Sequence, residues 1–155
     1  WAYQMAVEHY AYRAGELDTA KELALMAREA RPDSEKVHYD LATIARDKGE
    51  FREALFFAER ARAINPDWDL VYGLLADVEK SGGGSAQKAL EFQRQAHALC
   101  PDSAQRCWDL GEAYLEAGDR EAAARYIGRA IELFPDYLEQ TEKHEMAHEL
   151  GVAGA

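Results

Sequence analysis

Proline occurs four times in this chain, always at the same point of a recurring unit. The residues are Pro32, Pro66, Pro101 and Pro135, separated by 34, 35 and 34 positions. Each is followed by aspartate: Asp33, Asp67, Asp102 and Asp136. Proline pushes the residue before it out of the α region, so each one stops a helix. The aspartate can accept backbone N–H bonds and open the next helix. Counting back five positions from each proline gives Ala27, Ala61, Ala96 and Ala130. Twelve positions back lie Ala20, Ala54, Ala89 and Ala123, and seventeen back lie Gly15, Gly49, Gly84 and Gly118. Glycine there supplies the left-handed stop that lets a helix reverse. The pattern predicts four helix–turn–helix units in series. The clearest copy runs from Leu110 to Asp136.

A period near 34 with small residues in these slots and a closing proline resembles the tetratricopeptide repeat, or TPR. The resemblance covers about residues 2–137. It implies an all-α, right-handed α-solenoid of four helix pairs plus a C-terminal capping helix. A single domain over 1–155 is expected, with repeats at about 1–34, 35–68, 69–103 and 104–137 and the cap at about 138–150. Ala61 and Ala130 should be buried where helices approach closely. The slot that often holds an early tryptophan in the family carries Gln4, His38, Tyr72 and Cys107 here. Glu8 stands where the family prefers a small residue, which predicts a loosely packed first repeat.

Composition narrows the function. The net charge is −11, from 18 basic and 29 acidic residues. Nucleic-acid binding needs a basic footprint that this chain lacks. No apolar run approaches the ~20 residues of a membrane span, so no direct membrane insertion is expected. No secretory signal is visible, and a start at Trp1 rather than methionine reads as an excised domain or processed chain. A cytoplasmic location is the expectation, with Cys100 and Cys107 reduced, since two cysteines do not make a disulfide framework.

Two local features invite sharper readings. The third turn reads Ser81-Gly82-Gly83-Gly84-Ser85, one residue longer than the others. Without a preceding strand or a following GK[ST] it reads as a flexible turn, not a phosphate loop. His144-Glu145-Met146-Ala147-His148 spells H-E-x-x-H. On a helix that spacing can start a zinc-protease site. A catalytic zinc takes three protein ligands, and the third position of the extended pattern is Gly154. The repeat frame turns both histidines toward the preceding repeat, so neither catalysis, metal nor cofactor is expected.

The TPR resemblance implies that the first helices of successive repeats line a concave groove. Carried over by slot, the lining is Met5, His9 and Tyr12, then Tyr39, Asp40, Thr43 and Arg46, then Leu70, Leu74 and Asp77, then Gln105, Trp108, Asp109 and Glu112. Trp108 lies one residue past the family's buried aromatic slot, a rotation of about 100° on a helix, which predicts an exposed anchor. The lysine–asparagine–arginine clamp that some TPR domains use for a C-terminal carboxylate is absent from its slots. An apolar and acidic lining suits a protein or peptide with apolar and basic residues, and self-association stays open. The expected function is a protein–protein interaction scaffold docking a partner peptide or helix. A secretion-type chaperone and the recruiting module of a larger enzyme are the alternatives.

Overall fold

The computed structural model describes residues 5–7, 10 and 15–152. Its elements are α1 (Leu17–Ala30), α2 (Glu35–Asp47), α3 (Phe51–Ile64), α4 (Asp69–Ser81), α5 (Ala86–Leu99), α6 (Ala104–Glu116), α7 (Arg120–Leu133), a 3-10 helix (Pro135–Glu139) and α8 (Thr141–Glu149). No strand occurs among the described residues. The expected first helix, near 2–14, lies almost wholly outside them; residues 5–7 are helical. The chain forms two compact units, Trp1–Gly84 and Ser85–Ala155.

Within each unit, consecutive helices pack as antiparallel hairpins. The alanine register explains how closely. Ala20, Ala54, Ala61, Ala96, Ala123 and Ala130 are fully buried, and Ala27 and Ala89 nearly so. Side chains this small let neighbouring backbones meet, as interior packing density requires. Turn glycines sit in the left-handed region at Gly15, Gly49 and Gly118. In the third turn the left-handed residue is Gly83 (φ 72°), one position before the Gly84 expected from the proline count. The amide of Gly84 then donates to the Glu79 carbonyl at 2.7 Å, as Glu50 does to Ala45 and Asp119 to Tyr114. The extra residue therefore follows the helix stop, between it and the start of α5.

Helix starts also differ from expectation. The aspartates after the prolines lie in the turn, and the cap is one residue later. Ser34 Oγ accepts from the Val37 amide and Ser103 Oγ from the Arg106 amide. A hydroxyl there satisfies one of the amides a helix start leaves open. Past Pro135 the chain enters the 3-10 helix at once, proline being preorganised for a first helical position. The terminal element is thus a 3-10 turn followed by α8, not one continuous helix over 138–150.

Helices α1, α2 and α3 match α5, α6 and α7 at a constant offset of 69 residues. Most of the two units can therefore be compared position by position.

Candidate partner-binding faces

In the first unit, α2 and α4 carry the predicted lining. Tyr39 is half-buried against Trp68, ring centroids 4.8 Å apart, and the Lys36 ammonium lies over the Tyr39 ring. Lys36 also binds the Asp40 carboxylate one turn on. Thr43 Oγ1 donates to the Tyr39 carbonyl at 3.0 Å. Arg46 reaches Asp47 at 2.8 Å and, across to α4, Asp77 at 3.3 Å. Leu70 is 42% exposed. Three residues depart from the expected lining: Asp40, Thr43 and Leu74 are buried. Leu74 belongs to the apolar core, because α4 turns that side of its helix inward with Val71, Leu75 and Val78. Met5 is exposed, while His9 and Tyr12 lie outside the described residues.

In the second unit the main expectation fails. Trp108 is 1% exposed, not a surface anchor. It packs in a cluster with Cys107, Ile127, Ala130, Tyr137 and Ala147, bordered by Leu138, Met146 and Leu150. Tyr137 meets it edge-on at 5.4 Å, and the Lys143 ammonium sits 5.0 Å from its ring and 3.5 Å from that of Tyr137. The rotation along α6 is as expected, but the terminal element covers the face that Trp108 turns to. Its indole N–H is buried without a hydrogen-bond partner.

Asp109 accepts from Gln105 Nε2 at 2.6 Å and from Arg106 at 2.9 Å. Gln105 in turn accepts from the Tyr137 hydroxyl at 3.1 Å. Burial pushes the Asp109 carboxyl above its ordinary range, opposed by Gln105, Arg106 and Lys143. Glu112 lines an open cleft of about 310 Å³ with Gln140, Thr141, Glu142, Lys143 and Met146.

The H-E-x-x-H histidines do not face the preceding repeat. His144, Glu145 and His148 are exposed, and Ala147 makes the inward contact. Among the described residues no group of three or more His, Cys, Asp or Glu is placed to hold a metal ion. Both cysteine thiols are free, and burial raises the pKa of Cys107. Among the described residues no helix is long and apolar enough to cross a membrane.

The repeat register alone does not single out Trp68, the partner of Tyr39. It occupies the slot of Tyr137 at the 69-residue offset, so the Tyr39–Trp68 pair and the Trp108–Tyr137 pair are one arrangement with its members exchanged. An aromatic two residues after each of Pro66 and Pro135 is the available sequence signal.

Antiparallel helical hairpins with alanine seams and left-handed glycine turns define a helical-repeat protein. The tetratricopeptide repeat signature matches residues 11–78 and again residues 104–137, and the chain belongs to that family. No curated protein sequence matches the chain. Among solved structures, it is similar to the crystal structure of MamA protein, with 18% identity and a TM-score of 0.76 over 97% of this chain and 81% of that one. TTC0263, a thermophilic TPR protein in Thermus thermophilus, is 23% identical with a TM-score of 0.75, over 96% of this chain and 78% of that one. YrrB, described as a TPR protein with an unusual peptide-binding site, is 21% identical with a TM-score of 0.74, over 93% and 73%. At these identities the likeness is one of fold: all-α, of the helical-solenoid class.

Proposed function

We propose that this chain is a non-enzymatic protein-interaction scaffold that docks a partner peptide or helix on the face of its first helices. The observation that carries the reading is the α2/α4 face of the first unit. There the Tyr39–Trp68 pair is only half-buried, Leu70 is exposed, and Asp77, two turns further along the same helix, pairs with Arg46. Rigid aromatics with an aliphatic neighbour make a natural anchor surface, since hot spots favour Trp, Tyr and Arg. Asp77 on this face favours lysine or arginine on the partner. That YrrB is described as having a peptide-binding site supports peptide docking as a use of this fold. Trp108, being interior, serves the second unit's stability.

The test is direct. An amphipathic leucine–lysine peptide, titrated by calorimetry, should bind the wild-type chain. Tyr39→Ser with Leu70→Ser should weaken it about tenfold, or roughly 1.4 kcal/mol. Charge reversal at Asp77 should chiefly slow association. Undiminished affinity in the Tyr39/Leu70 variant would remove this face from the function.

A further inference from the structure

A second surface of the first unit has opposite chemistry. Phe56 and Phe57 are adjacent on α3, and adjacent helical side chains cannot share one face. Phe57 goes to the core, while Phe56 remains 55% exposed. Their rings meet edge-on at 5.2 Å. Phe56 opens onto a cleft of about 640 Å³ beside the Pro32 turn, with Ile64, also exposed, on the wall. Two arginines flank this apolar surface: the Arg28 guanidinium lies 5.6 Å from the Phe57 ring centre, and that of Arg60 5.9 Å from Phe56.

What sets these two cations apart is their place, each over a phenylalanine ring at the cleft. In the same unit Lys21, Lys36, Arg46, Lys48 and Arg62 pair with carboxylates, while Arg31 and Arg52, which do not line this cleft, have no ion pair among the described residues. Arg28 and Arg60 have no ion pair among the described residues; the ring faces hold them instead. Stacking occupies the plane of a guanidinium and leaves its N–H edges free for a bidentate acceptor. In a chain of net charge −11, two unneutralised guanidinia around an exposed phenylalanine are local charge complementarity to an acidic ligand.

The second unit supplies an internal control. A cleft of about 550 Å³ lies at the equivalent place, beside Pro101. There Arg28 is replaced by His97 and Phe56 by Arg125. Arg129, the counterpart of Arg60, is committed to Glu132 at 3.1 Å and Asp102 at 3.9 Å. The shape repeats, but the exposed phenylalanine and the pair of ring-held arginines do not.

We propose that the Phe56 cleft is a second docking site, for an extended partner segment bearing a large apolar side chain with carboxylates next to it. The apolar side chain covers Phe56 and Ile64, and the carboxylates take the N–H edges of Arg28 and Arg60. Glu29 and Asp33 also line the cleft, so it selects one or two carboxylates around an anchor over a polyanion. This site does not depend on the α2/α4 face, which favours basic partners.

The probe is a fluorescein-labelled peptide of sequence Ser-Gly-Glu-Phe-Glu-Gly-Leu-Ser, measured by anisotropy, with amide NMR shifts to locate it. A second peptide replaces every acidic residue by lysine. The acidic peptide should bind with shifts confined to α1, α3, the Pro32 turn and the first turn of α2, where His38 lines the cleft, and weaken as salt is added. Arg28→Gln with Arg60→Gln should lose about tenfold in affinity while leaving the amide spectrum otherwise native. Phe56→Ser should do the same, and Tyr39→Ser with Leu70→Ser should change nothing. The proposal is overturned if the acidic peptide does not bind at millimolar concentration, if the lysine peptide binds equally well, or if the arginine variants bind undiminished.

Discussion

The two units follow one path and are held by different forces. In the first, Lys21 on α1 reaches Glu50 at 2.5 Å and Glu53 at 2.6 Å at the start of α3, and Lys48 reaches Asp18 at 2.5 Å. At the 69-residue offset Lys21 becomes Leu90, Glu53 becomes Ala122 and Lys48 becomes Ala117. Leu90 packs with Leu110, Ala113, Tyr114 and Tyr126, the two tyrosine rings stacked 5.4 Å apart. An ion network on one side and an apolar cluster on the other close the same joint. The repeat fixes where helices meet through its alanines and glycines, and leaves the chemistry between those points open.

The aromatic pairs should give the largest asymmetry. Trp108→Ala empties a closed interior and should cost about 3–5 kcal/mol. Trp68→Ala, at a half-buried site, should cost roughly half of that. Urea denaturation of both variants checks this, and equal losses would break the contrast between the pairs. Close packing comes next. A Cβ on Gly111 would lie 2.5 Å from Ile127 Cγ1, whereas the equivalent positions of the first unit hold Ala42 and Ala58. Gly111→Ala should therefore cost about 1–3 kcal/mol. Adding Ile127→Ala, the residue of the first unit at that position, should recover part of it; strictly additive losses would show that the two sites do not touch.

Lys21→Gln should cost about 1 kcal/mol or less, the scale of solvent-exposed ion pairs. Added salt should shrink that difference, and Leu90→Gln in the second unit should show no such salt dependence. The smallest effect is the response to acid, and its sign differs between the units. Hydrogen bonds from Lys21 and Lys48 hold the Glu50 carboxyl at about 2, against an ordinary 4.5. Its contribution is present above 4.5 and is lost as pH falls toward 2. Asp109 is the reverse: burial raises its folded pKa above 3.8, so its charged form costs stability that acid relieves. Acidification should thus narrow the gap between wild type and Glu50→Gln, with wild type the more stable at neutral pH. It should also narrow the gap between wild type and Asp109→Asn, with the variant the more stable at neutral pH. Thermal melts across the carboxylate range give the stability of wild type minus that of each variant. If both differences rise, or both fall, as acid is added, the pairing of signs is refuted.

The skeleton is legible in the sequence because it rests on residues with a single physical use. Proline stops, small seams and the length of the third turn need no partner to be read. Readings that depend on a neighbour fail. The proline count points to Gly84 because three glycines in a row satisfy the same rule, and only the hydrogen bond to Glu79 chooses Gly83 as the left-handed residue. Trp108 reads as exposed because its own helix says where it points but not what covers it. His144 and His148 turn inward only if the repeat frame is extended through the 3-10 turn that interrupts it. The Phe56 cleft leaves a trace in the adjacent pair Phe56-Phe57, but the two arginines that lie over those rings are brought there only by the fold.

The exchanged aromatic pairs also make the protein its own optical instrument. Of three tryptophans, Trp68 belongs to the first unit and is half-exposed, and Trp108 belongs to the second and is sealed. Emission from Trp108 should be blue-shifted and resist acrylamide quenching, while Trp68 emits redder light and is quenched readily. With Trp1→Phe in the background, replacing either remaining indole by phenylalanine leaves a single chromophore that reports on one unit at a time.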